Sequence, residues 1–139
     1  MKQDNLIQDR TFDFAIEIIA LYKKLQEQKE FVLSKQVLRS GTSIGANVEE
    51  AIGGHSRKDF IAKLVIANKE ARETRYWLRL LQRSQLVKMD YSKQINEAEQ
   101  ILNILNAIIK TSRQNSGILG FLLFSVFPIS LYILTHQNS

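Results

Sequence analysis

From Phe60 to Leu81 the positions Phe60, Leu64, Ala67, Ala71, Thr74, Leu78 and Leu81 recur at alternating intervals of four and three, and all but Thr74 are apolar. That is the period at which one stripe of an α-helix meets a core, whereas a strand alternates every second residue. Tyr91, Ile95, Ala98, Leu102, Leu105 and Ile109 repeat the interval, and strand signals are absent throughout. The single proline is Pro128, so nothing upstream interrupts a helix. A chain of 139 residues patterned in this way is long enough for one all-α domain with a proper core.

Four helices are expected. The first covers about Thr11 to Gln28, with Phe14, Ile18, Leu21 and Leu25 on one stripe and Phe12, Ala15, Ile19 and Tyr22 on the next. The second covers about Phe31 to Ile52 and sets Val37, Gly41, Ile44, Val48 and Ala51 on one side. Gly53 and Gly54 should end it through a left-handed residue. The third runs from Ser56, placed to cap the Asp59 amide, to about Gln85, and the fourth starts near Asp90 or Ser92. Short connections between long helices favour antiparallel neighbours, so the expected architecture is an up-down-up-down four-helix bundle.

Charge divides the chain. All 19 Lys and Arg and all 14 Asp and Glu, a net charge of +5, lie between Lys2 and Arg113. Residues 1–117 therefore read as the bundle domain and 118–139 as an extra apolar tail. Within the tail, Ile118 to Leu134 holds 13 large apolar residues out of 17, at the lower edge of a spanning length. A membrane contact through 118–134, a helix packed on the bundle and a read-through extension all fit such a run. The opening MKQDNLIQDR has no apolar stretch of signal-peptide length, so a cytoplasmic body is expected, membrane-associated if the tail anchors it.

The residues that carry chemistry in enzymes are scarce. There is no cysteine, and His55 and His136 are the only histidines, so neither thiolate sites nor the Glu-x-x-His pairs of di-iron bundles can be assembled. No nucleophile elbow, zinc-protease helix or phosphate-cradling glycine loop occurs. Expected, therefore, is a protein that is not an enzyme, with no metal, no cofactor and no small-molecule substrate. What the pattern offers instead is surface. Arg72, Arg75, Arg79 and Arg83 fall within about 80° of one another on the third helix, a line of planar cations suited to phosphate oxygens of RNA or DNA. The same line also suits a solvated face paired with nearby glutamates. Ile66, Trp77 and Leu80 on the third helix, with Ile101, Ile104 and Ile108 on the fourth, lie off the core stripes and point to self-association or to a wide internal interface. Ser40, Ser43, Asn47 and Glu50 share a stripe of the second helix that fits a polar seam between helices or the lining of a pocket.

Two segments together go beyond a generic helical pattern. LRSGTSIGANVEEA, Leu38 to Ala51, and SRKDFIAKLVIANKEARETRYWLRLL, Ser56 to Leu81, resemble the four-helix bundle proteins encoded in intervening sequences of bacterial 23S ribosomal RNA genes. Ser40, Ser43, Ile44, Asn47 and Glu50 match the first segment of that family, and Lys69, Glu70, Ala71, Glu73, Thr74, Tyr76, Trp77 and Leu78 match the second. The resemblance covers about Thr11 to Ser116. It implies a small cytoplasmic bundle that assembles as a ring, a pentamer, with a basic surface and without enzymatic activity, its motif residues being structural. A related branch, the accessory variability protein of diversity-generating retroelements, is similar in fold and binds nucleic acid. Family members generally finish soon after the fourth helix, so the apolar tail is a departure. Two functions follow: a homo-oligomer that binds RNA or DNA through the four arginines, or a protein–protein scaffold, membrane-tethered by its tail, that does not.

Overall fold

The computed structural model describes the backbone over residues 3–124 and the side chains over residues 6–115. Four helices account for it: α1 (Gln3–Glu27), α2 (Leu33–Ile52), α3 (Arg57–Ser84) and α4 (Ser92–Phe124). Each packs on its neighbour in sequence, and α1 packs on α4 to close the bundle. Polar pairs across the interfaces fix the directions. Gln8 meets Glu49 while Gln26 meets Ser34, Arg39 meets Glu70 while Glu50 meets Lys63, and Arg10 meets Glu97 while Glu17 meets Lys93. In every case the earlier residue on one helix meets the later residue on the other, so the neighbours run antiparallel.

The core is the set of expected stripes, drawn together. Phe14, Ile18, Leu21 and Leu25 from α1 meet Val37, Ile44 and Val48 from α2, Leu64, Leu78 and Leu81 from α3, Leu102 and Leu105 from α4, and Tyr91 just ahead of α4, all buried. Two glycines let α1 and α2 approach closely. A Cβ added at Gly41 would stand 2.8 Å from Ile18 Cγ2, and one at Gly45 would stand 3.3 Å from the Thr11 carbonyl oxygen.

Several expectations are corrected. α1 begins at Gln3 rather than Thr11, because buried Ile7 extends its stripe by another turn. Thr11, the expected first residue, lies inside the helix and donates to the Ile7 carbonyl at 2.8 Å. The second α1 stripe does not join the core: Phe12 and Ile19 are 61% and 40% exposed. Conversely Ile101 and Ile108, off the core stripe of α4, are buried, which is the wide internal interface that their spacing allowed as an alternative to self-association. α2 starts at Leu33, with Phe31 and Val32 exposed in the preceding turn. Gly53 has φ −78°, so the expected left-handed end is absent there; its amide bonds back to the Glu49 carbonyl at 3.1 Å. The left-handed residues are Lys29 and Gln85, just past α1 and α3. Ser56 caps α3 as its spacing predicts, accepting from the Asp59 amide at 3.1 Å.

α4 continues across the expected boundary at 117/118 as far as Phe124. The rest of the apolar run, 125–134, and with it the choice among anchor, packed helix and extension, lies outside the described residues. Among the described residues no helix is long and apolar enough to cross a membrane.

Candidate nucleic-acid interface

The α3 stripe sits beside the core arc on the side toward α4. Arg72, Arg79 and Arg83 are exposed and Arg75 is half-buried. Glu70 and Glu73, the acids of α3 nearest the stripe in sequence, lie one, two or at least five residues from each arginine, never three or four, so they face away from the stripe toward α2. Both bind Arg39 of α2, Glu70 at 3.3 Å from Nη1 and Glu73 through Nη2. Burial raises the Glu70 carboxyl above its ordinary value, the Arg39 charge opposes this, and the Glu73 charge adds to it. Two carboxylates thus share one guanidinium, itself held more firmly protonated by its bond to Glu73. Among the described residues none of the four α3 arginines has an ion-pair or hydrogen-bond partner. Arg39 is therefore the residue that sequence reasoning missed. Its partners lie more than thirty positions away, and only the antiparallel register of α2 and α3 brings them to it.

The other singled-out residues hold α2 to α3. Ser40 and Thr74, one from each motif, are fully buried and meet across the interface, Thr74 Oγ1 donating to Ser40 Oγ at 2.9 Å while Ser40 donates to the Gln36 carbonyl at 2.9 Å. Ser43 and Asn47 instead bond back along α2, to the carbonyls of Arg39 and Ser43. The expected seam is thus one buried hydroxyl pair rather than a row. Ile44 is core, and exposed Glu50 pairs with Lys63 Nζ at 2.6 Å. Lys69 is exposed, near α4. Tyr76 packs edge-on to Trp77 with ring centroids 5.0 Å apart. Trp77, expected on an outer face, packs partly against the core, and its indole N–H is buried without a partner among the described residues.

Among the described residues no three His, Asp or Glu side chains stand close enough to hold a metal ion. His55, Ser56 and Arg57 line a depression of about 580 Å³ at the end of the bundle with Thr111 and Asn115, and no hydrogen bond joins His55 to Ser56 as a base would join a nucleophile.

A sequence model of the 23S rRNA-intervening sequence protein family matches residues 3–107, from the first turn of α1 to deep in α4. The chain belongs to that family. A crystal structure of a protein with unknown function from the S23 ribosomal protein family of Bacteroides thetaiotaomicron is 52% identical to it, with a TM-score of 0.74, and the match covers 78% of this chain and 99% of that one. No curated protein matches. The matched span takes in Arg39 with Glu70 and Glu73, the Ser40–Thr74 contact and the α3 arginines. The apolar run from Ile118 lies beyond it.

Proposed function

We propose that this member of the family is a non-enzymatic, oligomeric, cytoplasmic protein that binds RNA or DNA through Arg72, Arg75, Arg79 and Arg83. The observation that carries this reading is that none of the four guanidinium groups of α3 has an acidic partner among the described residues, while the neighbouring acids Glu70 and Glu73 face α2 and bind Arg39. Over the 11 residues separating Arg72 from Arg83 the helix advances about 16 Å, enough to run beside two or three phosphates of a strand. Planar, permanently charged forks suit that contact.

Two unlike apolar patches support assembly as a ring. On α1, Phe12, Ile16 and Ile19 are 61%, 53% and 40% exposed and share a groove with Thr42, Gly45 and Ala46 of α2. On α3, Ile66, Tyr76 and Leu80 are exposed. Non-identical patches on one chain suit head-to-tail contacts, which close when the rotation between copies divides a full turn. The family resemblance sets the expected number at five.

The test is binding of purified protein to structured RNA and to duplex DNA over a salt series, with mass measured in the same buffers. If about six phosphate contacts form, log affinity falls against log salt with a slope of about −4 to −5. A flat response by an intact oligomer overturns the nucleic-acid reading and favours the scaffold. In that case replacing all four arginines by glutamine leaves recovery of a protein partner unchanged.

A further inference from the structure

Where α3 meets α4, two asparagines meet across the interface. Asn68 is only 8% exposed, and a carboxamide so far from water is costly unless it is hydrogen-bonded. Its Nδ2 donates to Asn106 Oδ1 of α4 at 2.9 Å. That bond uses the oxygen of the Asn106 carboxamide and leaves its amide nitrogen, two N–H donors, without a partner among the described residues. The two asparagines line a cleft of about 270 Å³ together with Lys69 and Arg72 from α3 and Arg113 from α4. All three cations are exposed, none has an ion pair among the described residues, and no carboxylate lines the cleft. Glu99, the acid on the same face of α4 as Asn106, is seven residues and therefore about 10 Å away along the axis. Three positive charges and an unpaired amide around one small concavity present donors and charge that suit an anion.

Resting on the nucleic-acid reading above, we propose that this cleft is a phosphoryl-binding site that seats one backbone phosphate of the bound strand. Arg72 and Arg113 bracket the phosphate from two helices, Lys69 supplies a third charge, and the Asn106 amide donates to a phosphoryl oxygen. Asn68 is a positioning residue, since it turns the Asn106 carboxamide the right way round. The seated phosphate sets the register from which Arg75, Arg79 and Arg83 follow the strand. A free phosphate presents the same oxygens, so the experiment separates the two sources.

The experiment compares two double variants of the full chain, Arg72→Gln with Arg113→Gln and Arg79→Gln with Arg83→Gln, on the same RNA and duplex DNA. Each removes two positive charges, so a diffuse basic field predicts equal losses and equal reductions in salt slope. A site predicts that the first pair loses at least tenfold more affinity than the second. It also predicts that Asn106→Leu weakens binding several-fold with the salt slope unchanged, since a donor and not a charge is removed. Equal losses overturn the site and leave the nucleic-acid reading standing. In a second arm, inorganic phosphate is compared with chloride at matched ionic strength in thermal melting. Phosphate that raises the melting temperature of the wild type but not of the first double variant, in a protein with no affinity for nucleic acid, supports the cleft as a free-phosphate site and overturns the reading it rests on. No affinity in the first arm and no shift in the second overturn both. Circular dichroism of each variant checks that the helices persist, as exposed positions allow.

Discussion

Glu30 sits in the turn between α1 and α2, buried, and spends its carboxylate on the open end of a helix. Oε1 accepts from the Val32 and Leu33 amides at 3.1 and 3.0 Å, and Oε2 accepts from the Ser34 amide at 2.7 Å. Burial on its own would raise this carboxyl, but the backbone amides of Leu33, Ser34 and Val32 outweigh it and hold the group below the ordinary glutamate value. The sign of the pH dependence follows. A carboxyl depressed in the folded state contributes stability that is present above the unfolded value, about 4.3, and is lost as pH falls through the lower folded value. Glu30→Gln should therefore cost about 1–2 kcal/mol at neutral pH, the magnitude of a lost cap. The gap from wild type should close as denaturation is followed below about pH 4. A gap that is constant with pH would mean that the carboxylate's charge contributes nothing. The signal for this cap was present in the sequence as an acid four residues before Ser34, but an acid ahead of a helix is common, and only its burial singles it out.

At the scale of the element, the contact between α1 and α2 depends on what is missing from α2. Gly41→Ala would gain about 1 kcal/mol of intrinsic helix preference but drive a methyl group into Ile18, which is fully buried and has nowhere to go. Set against that gain, the overpacking cost of about 1–3 kcal/mol leaves an expected net loss of about 0–2 kcal/mol. In an Ile18→Ala background the same change should become stabilising. Denaturant midpoints of the four proteins check this, and simple additivity would rule out the clash as the cause. Helix number, order and the main core stripes could be read from spacing, because one period assigns one face. How far around the helix that face extends could not be read. Phe12 and Ile19 face water while Ile101 and Ile108 are buried, although α1 and α4 each pack on two neighbours, so the period of the pattern does not set the width of the buried arc. The candidate interface was half legible on the same grounds. The arginine line follows from the α3 sequence alone, but that no acid of a neighbouring helix reaches it, among the described residues, depends on how the helices pack, and the Asn68–Asn106 pair depends on the register of α3 against α4.

At the scale of the whole molecule, the bundle closes where it has the least to hold it. Contact between α1 and α4 is the sparsest of the four interfaces and the only one between helices that are not joined by a turn. Among the described residues it carries two ion pairs: Arg10 grips Glu97 with two nitrogens, at 2.6 and 3.1 Å, and Lys93 reaches Glu17 at 3.2 Å. These pairs are partly exposed, so added salt screens them; it also screens the pairs of Arg39 and Lys63 between α2 and α3, but there a far more extensive packed interface remains. In native-state hydrogen exchange the first cooperative opening should release α1 from α4 while α2 and α3 stay protected. Raising salt from about 0.05 to 0.5 M should shorten the lifetime of amide protection in α1 more than in α3. Protection lost first from α3 would contradict this order. A bundle hinged in this way unfolds from its chain ends inward, so the helix that carries the arginines is among the last parts of the molecule to exchange.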